Sequence, residues 1–336
     1  MLSSDAVIVI LAKINPEDNT MSKIHIEKWV DVDKKYSRGK KRRITMALTA
    51  RLLPKLIFKS KKKADDGVLM SAAMIADLHV DGDTYRGRNN SVRQGLVGIS
   101  CYKKVDAIIM AGDITNSAHV SEYKNLKHYL KKYSKVERVI PEMGNHDTRA
   151  TSIEPYYNEA LDLYNDFCKF CGIEKGERPY YVTDLKGYRV ITISSEGIPN
   201  TDQAIISDEQ LKWFEKELIA AAELKRPIFV VSHQPPAGRN GAAGGCSIGE
   251  ASESLDNILC ENASSAAPVI FVSGHMHEMR GLDNPKKGLY FINMTSFMYT
   301  RGIGFMAEVY SDRVVLEGCN FITGETDDDY RYEIAY

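Results

Sequence analysis

The feature that most constrains this chain is a repeated junction between apolar runs and metal-type side chains. Five short runs rich in Val, Ile and Ala each lead straight into Asp, Asn or His. Residues 68–75 lead to Asp77-Leu78-His79 and residues 106–110 to Gly112-Asp113. Residues 136–140 precede Gly144-Asn145-His146-Asp147, residues 227–231 precede His233, and residues 268–272 precede Gly274-His275-Met276-His277. Short runs this rich in Val and Ile have the character of buried strands. Amphipathic helical patterns over residues 120–133, 154–170, 207–224 and 253–261 separate several of them. Ser207, with Gln210 three residues on, is a helix start. After Gly288 the pattern changes to residues 289–294, 305–310 and 313–317, strand-like and joined by short turns. A similar pair, 180–183 and 188–193, flanks Lys186-Gly187. The expected class is therefore α/β, a body of buried strands and helices with added antiparallel strands.

Ligands of open α/β sheets bind beyond the carboxyl ends of the strands. If the five runs lie together, their polar ends converge. His79, His233, His275 and His277 bring four imidazoles, Asp77 and Asp113 two carboxylates, and Asn145 an amide carbonyl. That set exceeds one four-coordinate ion and suits two ions with open positions. The mixture of imidazole and carboxylate without Cys argues against a closed structural zinc site and fits Mn, Fe or Zn. Taken singly, each residue has a plainer reading: His233 as a satisfied histidine, Asp113 as a helix cap, His275 and His277 as outward positions of a strand end.

The ordered series D-x-H, G-D, G-N-H-D, a lone His and G-H-x-H resembles the calcineurin-like metallophosphoesterase family, from about residue 68 to residue 311. The resemblance implies a four-layer α-β-β-α sandwich of two mixed β-sheets flanked by helices. It implies hydrolysis of a small phosphoester, monoester or diester, by a hydroxide shared between two divalent or trivalent metal ions. Asp77, His79 and His277 would hold the first metal, Asn145, His233 and His275 the second, and Asp113 both. His146 would protonate the leaving oxygen, oriented by Asp147 or Asp113. Two branches of the family fit poorly. No Tyr follows Asp113 within Ile114-Thr115-Asn116, as an Fe³⁺–tyrosinate site needs. Asn116-Ser117-Ala118 and Asp147 replace the signature residues of the Ser/Thr protein phosphatases. A nuclease of the same fold and a non-catalytic scaffold that keeps the metal site stand as alternatives.

Charge sets the N-terminal region apart. Residues 34–63 hold thirteen Lys or Arg and no Asp or Glu, so the rest of the chain carries −14 against an overall −1. The expected division is an N-terminal extension with this basic arm over 1–66, the metallophosphoesterase domain over 67–322 and an acidic C-terminal tail over 323–336. A solvated basic face is the plainest reading of the arm. An anionic membrane surface is the first functional one, and nucleic acid the weaker second. The six cysteines are scattered and form no disulfide framework. Cys168-x-x-Cys171 falls in a helical stretch and reads as packed thiols rather than a redox or zinc motif. With no leader-like segment recognisable before the apolar run 6–12, the expected location is the cytoplasm, with the arm allowing peripheral attachment to a membrane. Two further stretches lie near the motifs. Arg86, Arg88, Asn89 and Asn90 read as a solvated loop, with phosphate contact as the alternative. The Gly-rich residues 238–245 read as a mobile loop or lid beside His233.

Overall fold

The computed structural model describes residues 7–12, 24–30, 67–82, 89–102, 104–148, 156–198 and 202–336. The basic arm, Arg86 and Arg88 lie outside them. Two strands, β1 (Val7–Ala12) and β2 (Ile24–Val30), pair antiparallel in a small sheet of their own. The remaining strands form two mixed six-stranded sheets.

The first sheet begins with β3 (Met70–Ile75), β4 (Ala107–Met110) and β5 (Arg138–Pro141), mutually parallel in that order. It is extended on the other side of β3 by the antiparallel strands β12 (Ile303–Val309), β13 (Arg313–Asn320) and β14 (Thr326–Ala335). The second sheet contains β7 (Tyr188–Thr192), β8 (Ile228–Val231), β9 (Val269–Ser273) and β11 (Leu289–Asn293), all parallel. The antiparallel strands β6 (Tyr181–Leu185) and β10 (Arg280–Lys286) close its two edges.

Side-chain alternation shows how these sheets are covered. Phe229 and Val231 of β8, with Ile270 and Val272 of β9, face a core shared with Met74, Ile109 and Phe305 of the first sheet. The intervening Ile228, Val230, Val269 and Phe271 join Phe214 and Leu218 of helix Asp208–Ala222 and Leu255 and Leu259 of helix Ser252–Asn262. Both faces of the central strands are therefore buried, which is why their sequences are continuously apolar. Helices Asn89–Ile99, Val120–Tyr133 and Tyr156–Phe170 contribute Leu96, Leu126 and Phe167 to the larger core. This is the expected four-layer arrangement. Cys168 and Cys171 are buried and free, and burial pushes both thiols up, Cys168 to about 12. Thiols so protonated pack rather than react.

Three elements differ from the sequence reading. Asn89 is not in a solvated loop. It is buried and opens helix Asn89–Ile99. Its amide accepts from the Asp81 N–H at 2.9 Å and donates to the Asp81 carbonyl at 2.9 Å. The segment read as an acidic tail contains β14, an edge strand whose Asp327, Asp328 and Asp329 are exposed while Ile334 is buried. Charged residues on an edge strand discourage further strand pairing. The Gly-rich loop is tied down at its start. Arg239 makes a two-pronged ion pair with Asp256 (2.7 and 2.6 Å), and the Asn240 amide donates to the Gly281 carbonyl at 3.0 Å.

Phe271 is fully buried against Phe291 and the helix-side cluster. Phe271→Ala should cost about 3–5 kcal/mol through lost transfer energy and the cavity left behind. Urea unfolding of the two proteins would measure it.

Candidate metal centre

The five strand ends meet where the two sheets come together. After β3 the chain does not leave the sheet at once. The Asp77 N–H donates to the Gly112 carbonyl (3.1 Å), the His79 N–H to the Asp113 carbonyl (2.9 Å), and the Val80 N–H to the Ile114 carbonyl (3.1 Å). On the other sheet the Gly274 N–H donates to the His233 carbonyl at 3.0 Å. The loops bearing the polar residues are thus laced in pairs by backbone hydrogen bonds.

These bonds hold an unusual backbone. Asp77, His79, Asp113, His275 and His277 all have positive φ, between 41° and 70°. For residues with a Cβ, the left-handed region costs about 1–2 kcal/mol each. Such strain persists only where neighbouring structure enforces it, and it clusters at functional sites. Two motif glycines follow from the same crowding. A Cβ on Gly144 would lie 2.3 Å from the Asp113 backbone nitrogen, and one on Gly112, itself at φ 75°, would lie 2.5 Å from the His233 side chain.

Both aspartates divide their oxygens alike. Asp77 Oδ2 accepts from the His275 N–H at 3.1 Å, and Asp113 Oδ1 from the His146 N–H at 2.8 Å. The other oxygen of each faces the imidazoles. Asp77 Oδ1 lies 3.0 Å from His277 Nε2 and 3.8 Å from His79 Nε2. Asp113 Oδ2 lies 3.7 Å from His79 Nε2 and 3.1 Å from His233 Nε2. Ligand atoms of Asp77, His79, Asp113 and His277 all fall within 4.8 Å of one another. His233 extends this group toward His275, whose Nδ1 is 3.2 Å from His233 Nε2.

Several details fit cations. His79 Nε2 and His277 Nε2 approach to 3.1 Å, so two nitrogens that ordinarily each bear or seek a proton point at the same place. Asn145 Oδ1 is buried without a hydrogen-bond partner among the described residues, and the buried Asp77 Oδ1 meets only imidazole nitrogens there. Buried polar atoms are rarely left so. His233 Nδ1 is 3.0 Å from the Ala111 carbonyl. A carbonyl can only accept, so Nδ1 carries the hydrogen, and Nε2 is the nitrogen that faces the Asp113 carboxylate.

The electrostatics of the cluster run in the same direction. Burial works against charge on His233, but the Asp113 and Asp77 carboxylates outweigh it and raise its pKa to about 10. Burial likewise works against the Asp113 carboxylate, yet His233, then His79 and His146, hold it well below the usual carboxylate range. Burial lowers His79 and His275 to about 4, the latter helped by charge on His233. Contact with the Asp77 carboxylate raises His277.

His146 and Asp147 occupy different positions. His146 lies at the rim, its Nε2 4.0 Å from Asp113 Oδ2 and its Nδ1 2.6 Å from the Asn116 carbonyl. The Asn116 backbone carbonyl is thus one group at hydrogen-bond distance that can orient its ring. Asp147 is fully buried. It accepts from the backbone N–H groups of Ile114 (3.1 Å), Thr115 (2.8 Å) and Gly144 (3.0 Å), and from the Thr115 hydroxyl (2.6 Å). It ties the Asp113 loop to the Asn145 turn. Burial and the adjacent Asp113 charge push its carboxyl up to about 7.

Sequence reasoning missed three residues here. The Asn116 carbonyl holds His146, and a backbone group leaves no trace in side-chain pattern. Asp202 accepts from the Asn145 amide nitrogen at 3.4 Å, which leaves the buried Asn145 Oδ1 free to accept from or ligate another group. It lies in a loop without a motif. Tyr299 sits 5.3 Å from the His277 ring and 6.0 Å from that of His79.

The sequence pattern of the calcineurin-like phosphoesterases matches residues 70–279, well over half of the chain. The chain belongs to this family. A probable cyclic nucleotide phosphodiesterase of Rhodococcus erythropolis is 31% identical over 170 residues, covering 48% of this chain and 51% of that protein. The chain thus spans about half the length of that relative. A probable glycerophosphodiester phosphodiesterase of Arcobacter nitrofigilis is 30% identical over 133 residues, 40% of this chain and 43% of its own. Among solved structures, a dimetal phosphatase from Danio rerio superposes with a TM-score of 0.54 at 15% identity, covering 80% of this chain and 99% of that one. That likeness concerns the fold. Among the described residues no helix is long and apolar enough to cross a membrane.

Behind the centre, Glu142 is buried and accepts from the Ser194 hydroxyl at 2.8 Å, while its second oxygen has no hydrogen-bond partner among the described residues. Burial raises its pKa to about 8, against the pull of His233 and Ser194. The folded state then holds a proton that the unfolded state releases near pH 4.5. Its stabilising contribution is complete below that pH and is lost as pH rises toward about 8. In chelator-treated protein, Glu142→Gln should therefore gain stability over wild type at pH 9, with the gap closing by pH 5. Urea titrations at the two pH values would show it.

Proposed function

We propose that this chain is a metal-dependent phosphodiesterase in which Asp113 would help to hold both of two metal ions. The observation that carries the reading is the placement of Asp113 Oδ2 between His233 of one sheet and His79 of the other, at 3.1 and 3.7 Å. One carboxylate oxygen would thus be within reach of both ligand sets. Asp77, His79 and His277 would complete the first set, and Asn145, His233 and His275 the second. The donors fit Mn, Fe or Zn. When bound, such cations supply Lewis acidity to the phosphoryl oxygens and make an attacking water more acidic.

The protein's own part is placement and proton transfer. Asp77 and Asp113 are fixed by one oxygen each to a backbone N–H, so the other oxygen needs no reorganisation. Asn145 adds a carbonyl ligand without another negative charge beside an anionic substrate. His146 carries its Nδ1 hydrogen toward the Asn116 carbonyl, which leaves Nε2 to hold the mobile proton and deliver it to the departing alkoxide. Asp147 acts through the loops it joins and so positions Asp113 and Asn145 rather than meeting substrate.

A diester is favoured because the relatives compared above are named as phosphodiesterases, for cyclic nucleotides in one case and glycerophosphodiesters in the other. The expected substrate is small. An anionic membrane surface met through residues 34–63 belongs to the same proposal as a means of location and plays no part in the chemistry.

Two experiments test this. Bis-p-nitrophenyl phosphate should be hydrolysed with added Mn²⁺, and chelation or Asp113→Asn should lower the rate by more than ~100-fold with loss of bound metal by elemental analysis. Full turnover by metal-depleted protein would sink the reading. His146→Ala should lower turnover of an alkyl diester by about 10²-fold or more, and that of the p-nitrophenyl diester far less, since p-nitrophenolate departs without a proton. Equal losses on both would assign His146 to substrate positioning instead.

A further inference from the structure

Among the described residues most large apolar side chains are buried, and the most exposed of those that are not stands beside the candidate metal centre. Tyr299 is 60% exposed. Its ring centroid lies 5.3 Å from that of His277 and 6.0 Å from that of His79. The interplanar angles are 53° and 46°, so neither imidazole lies flat on it and a face of the ring is left to solvent.

The turn that carries Tyr299 is rigidly held. The Phe297 N–H donates to the Ala76 carbonyl at 3.0 Å, and the Ser296 hydroxyl to the Asp77 carbonyl at 3.0 Å. The Thr300 N–H returns to the Ser296 carbonyl (3.0 Å) and the Gly302 N–H to the Phe297 carbonyl (2.9 Å). The Thr295 hydroxyl donates to the His277 carbonyl at 2.8 Å. Phe297 and Met298, the two residues before Tyr299, are buried. Phe297 lies so close to helix Asn89–Ile99 that a Cβ on Gly95 would fall 2.2 Å from its ring. The turn is thus stitched to two expected ligands and anchored in the core, while its one exposed ring overhangs them.

A scattered exposed aromatic needs no explanation by itself. A rigidly mounted one over the ligand imidazoles does, because it loses little conformational freedom when something packs on it. We propose that Tyr299 is a stacking platform for a planar ring carried by the substrate. This rests on the phosphodiesterase reading and narrows its substrate class to diesters in which one alcohol bears an aryl ring or a nucleobase. Base-on-aromatic stacking tolerates any ring with a π-face, so the platform selects ring-bearing over ringless alcohols without reading ring identity.

The test measures binding separately from turnover. Adenosine 5′-monophosphate and glycerol 3-phosphate, a ring-bearing and a ringless product, are titrated calorimetrically into Mn²⁺-loaded wild type, Tyr299→Phe and Tyr299→Ala. Wild type should bind the adenosine compound more tightly. Tyr299→Ala should weaken that binding by about ten- to a hundred-fold while weakening glycerol phosphate less than about three-fold, and Tyr299→Phe should retain the preference. No preference in wild type, or parallel weakening of both compounds in Tyr299→Ala, would overturn the platform and make Tyr299 a support of the ligand turn. A ring preference removed by Tyr299→Ala, in a protein that cleaves no diester, would uphold the platform while the hydrolase reading falls.

Discussion

Two sheets that share no strand meet at the carboxylate of Asp113. One oxygen is fixed by the His146 N–H, and the other lies between His79 and His233, which belong to different sheets. The fit depends on contacts too close for larger residues. Gly112 lets the His233 side chain pass, and Gly144 lets the Asn145 turn lie on the Asp113 backbone. Asp147 clamps the same two loops from behind through three backbone N–H groups and a hydroxyl. The left-handed backbone of five expected ligands costs several kcal/mol taken together. The paired strand-end hydrogen bonds and the shared core beneath them offset that cost. The site is therefore a property of the sheet junction rather than of any one loop.

The same convergence concentrates charge. Asp77, Asp113, Asp147 and Glu142 are all buried, and the imidazoles around them answer in opposite directions. His233, closest to Asp113 Oδ2, is raised, while His79 and His275 are lowered by burial. A proton on His233 substitutes in part for a cation between carboxylates. Cation binding to such a centre displaces that proton, since the ligand must be neutral imidazole. The neutral amide of Asn145 is intelligible in this setting, because one more carboxylate would add repulsion without another partner.

The strand ends were legible because burial on both faces forces an uninterrupted apolar run, and any polar residue that follows stands out. That held for Asp77, Asp113, Asn145, His233 and His275, which the structure brings to one junction. The helix at Asn89–Ile99 was not legible. Its two glycines weaken a helical pattern, and at least one of them, Gly95, is there because Phe297 from a distant turn occupies the space. The strand β14 was hidden by its acidic exposed residues, since an edge strand needs little apolar content. Asp147 looked like a partner of His146 because the two are adjacent in sequence. Within a helical turn, neighbouring side chains point apart, and its carboxylate turns inward to the backbone instead.

On the proposed reading, chemistry and selectivity fall to different parts of this architecture. The expected ligands sit on loops continuous with the central strands of both sheets, where displacement would disturb the core. Tyr299 sits on the connection from β11 to β12, which crosses from one sheet to the other and meets the centre through hydrogen bonds to the Asp77 and His277 carbonyls and through the ring contacts of Tyr299. Its exposed ring can change without altering a ligand, a hydrogen bond to a ligand or the buried anchor Phe297. A fold arranged in this way could keep one metal geometry while the residue on that turn adapted the choice of alcohol. This is also why the residue could not be read from the motifs, which gather the expected ligands and are silent about what stands beside them.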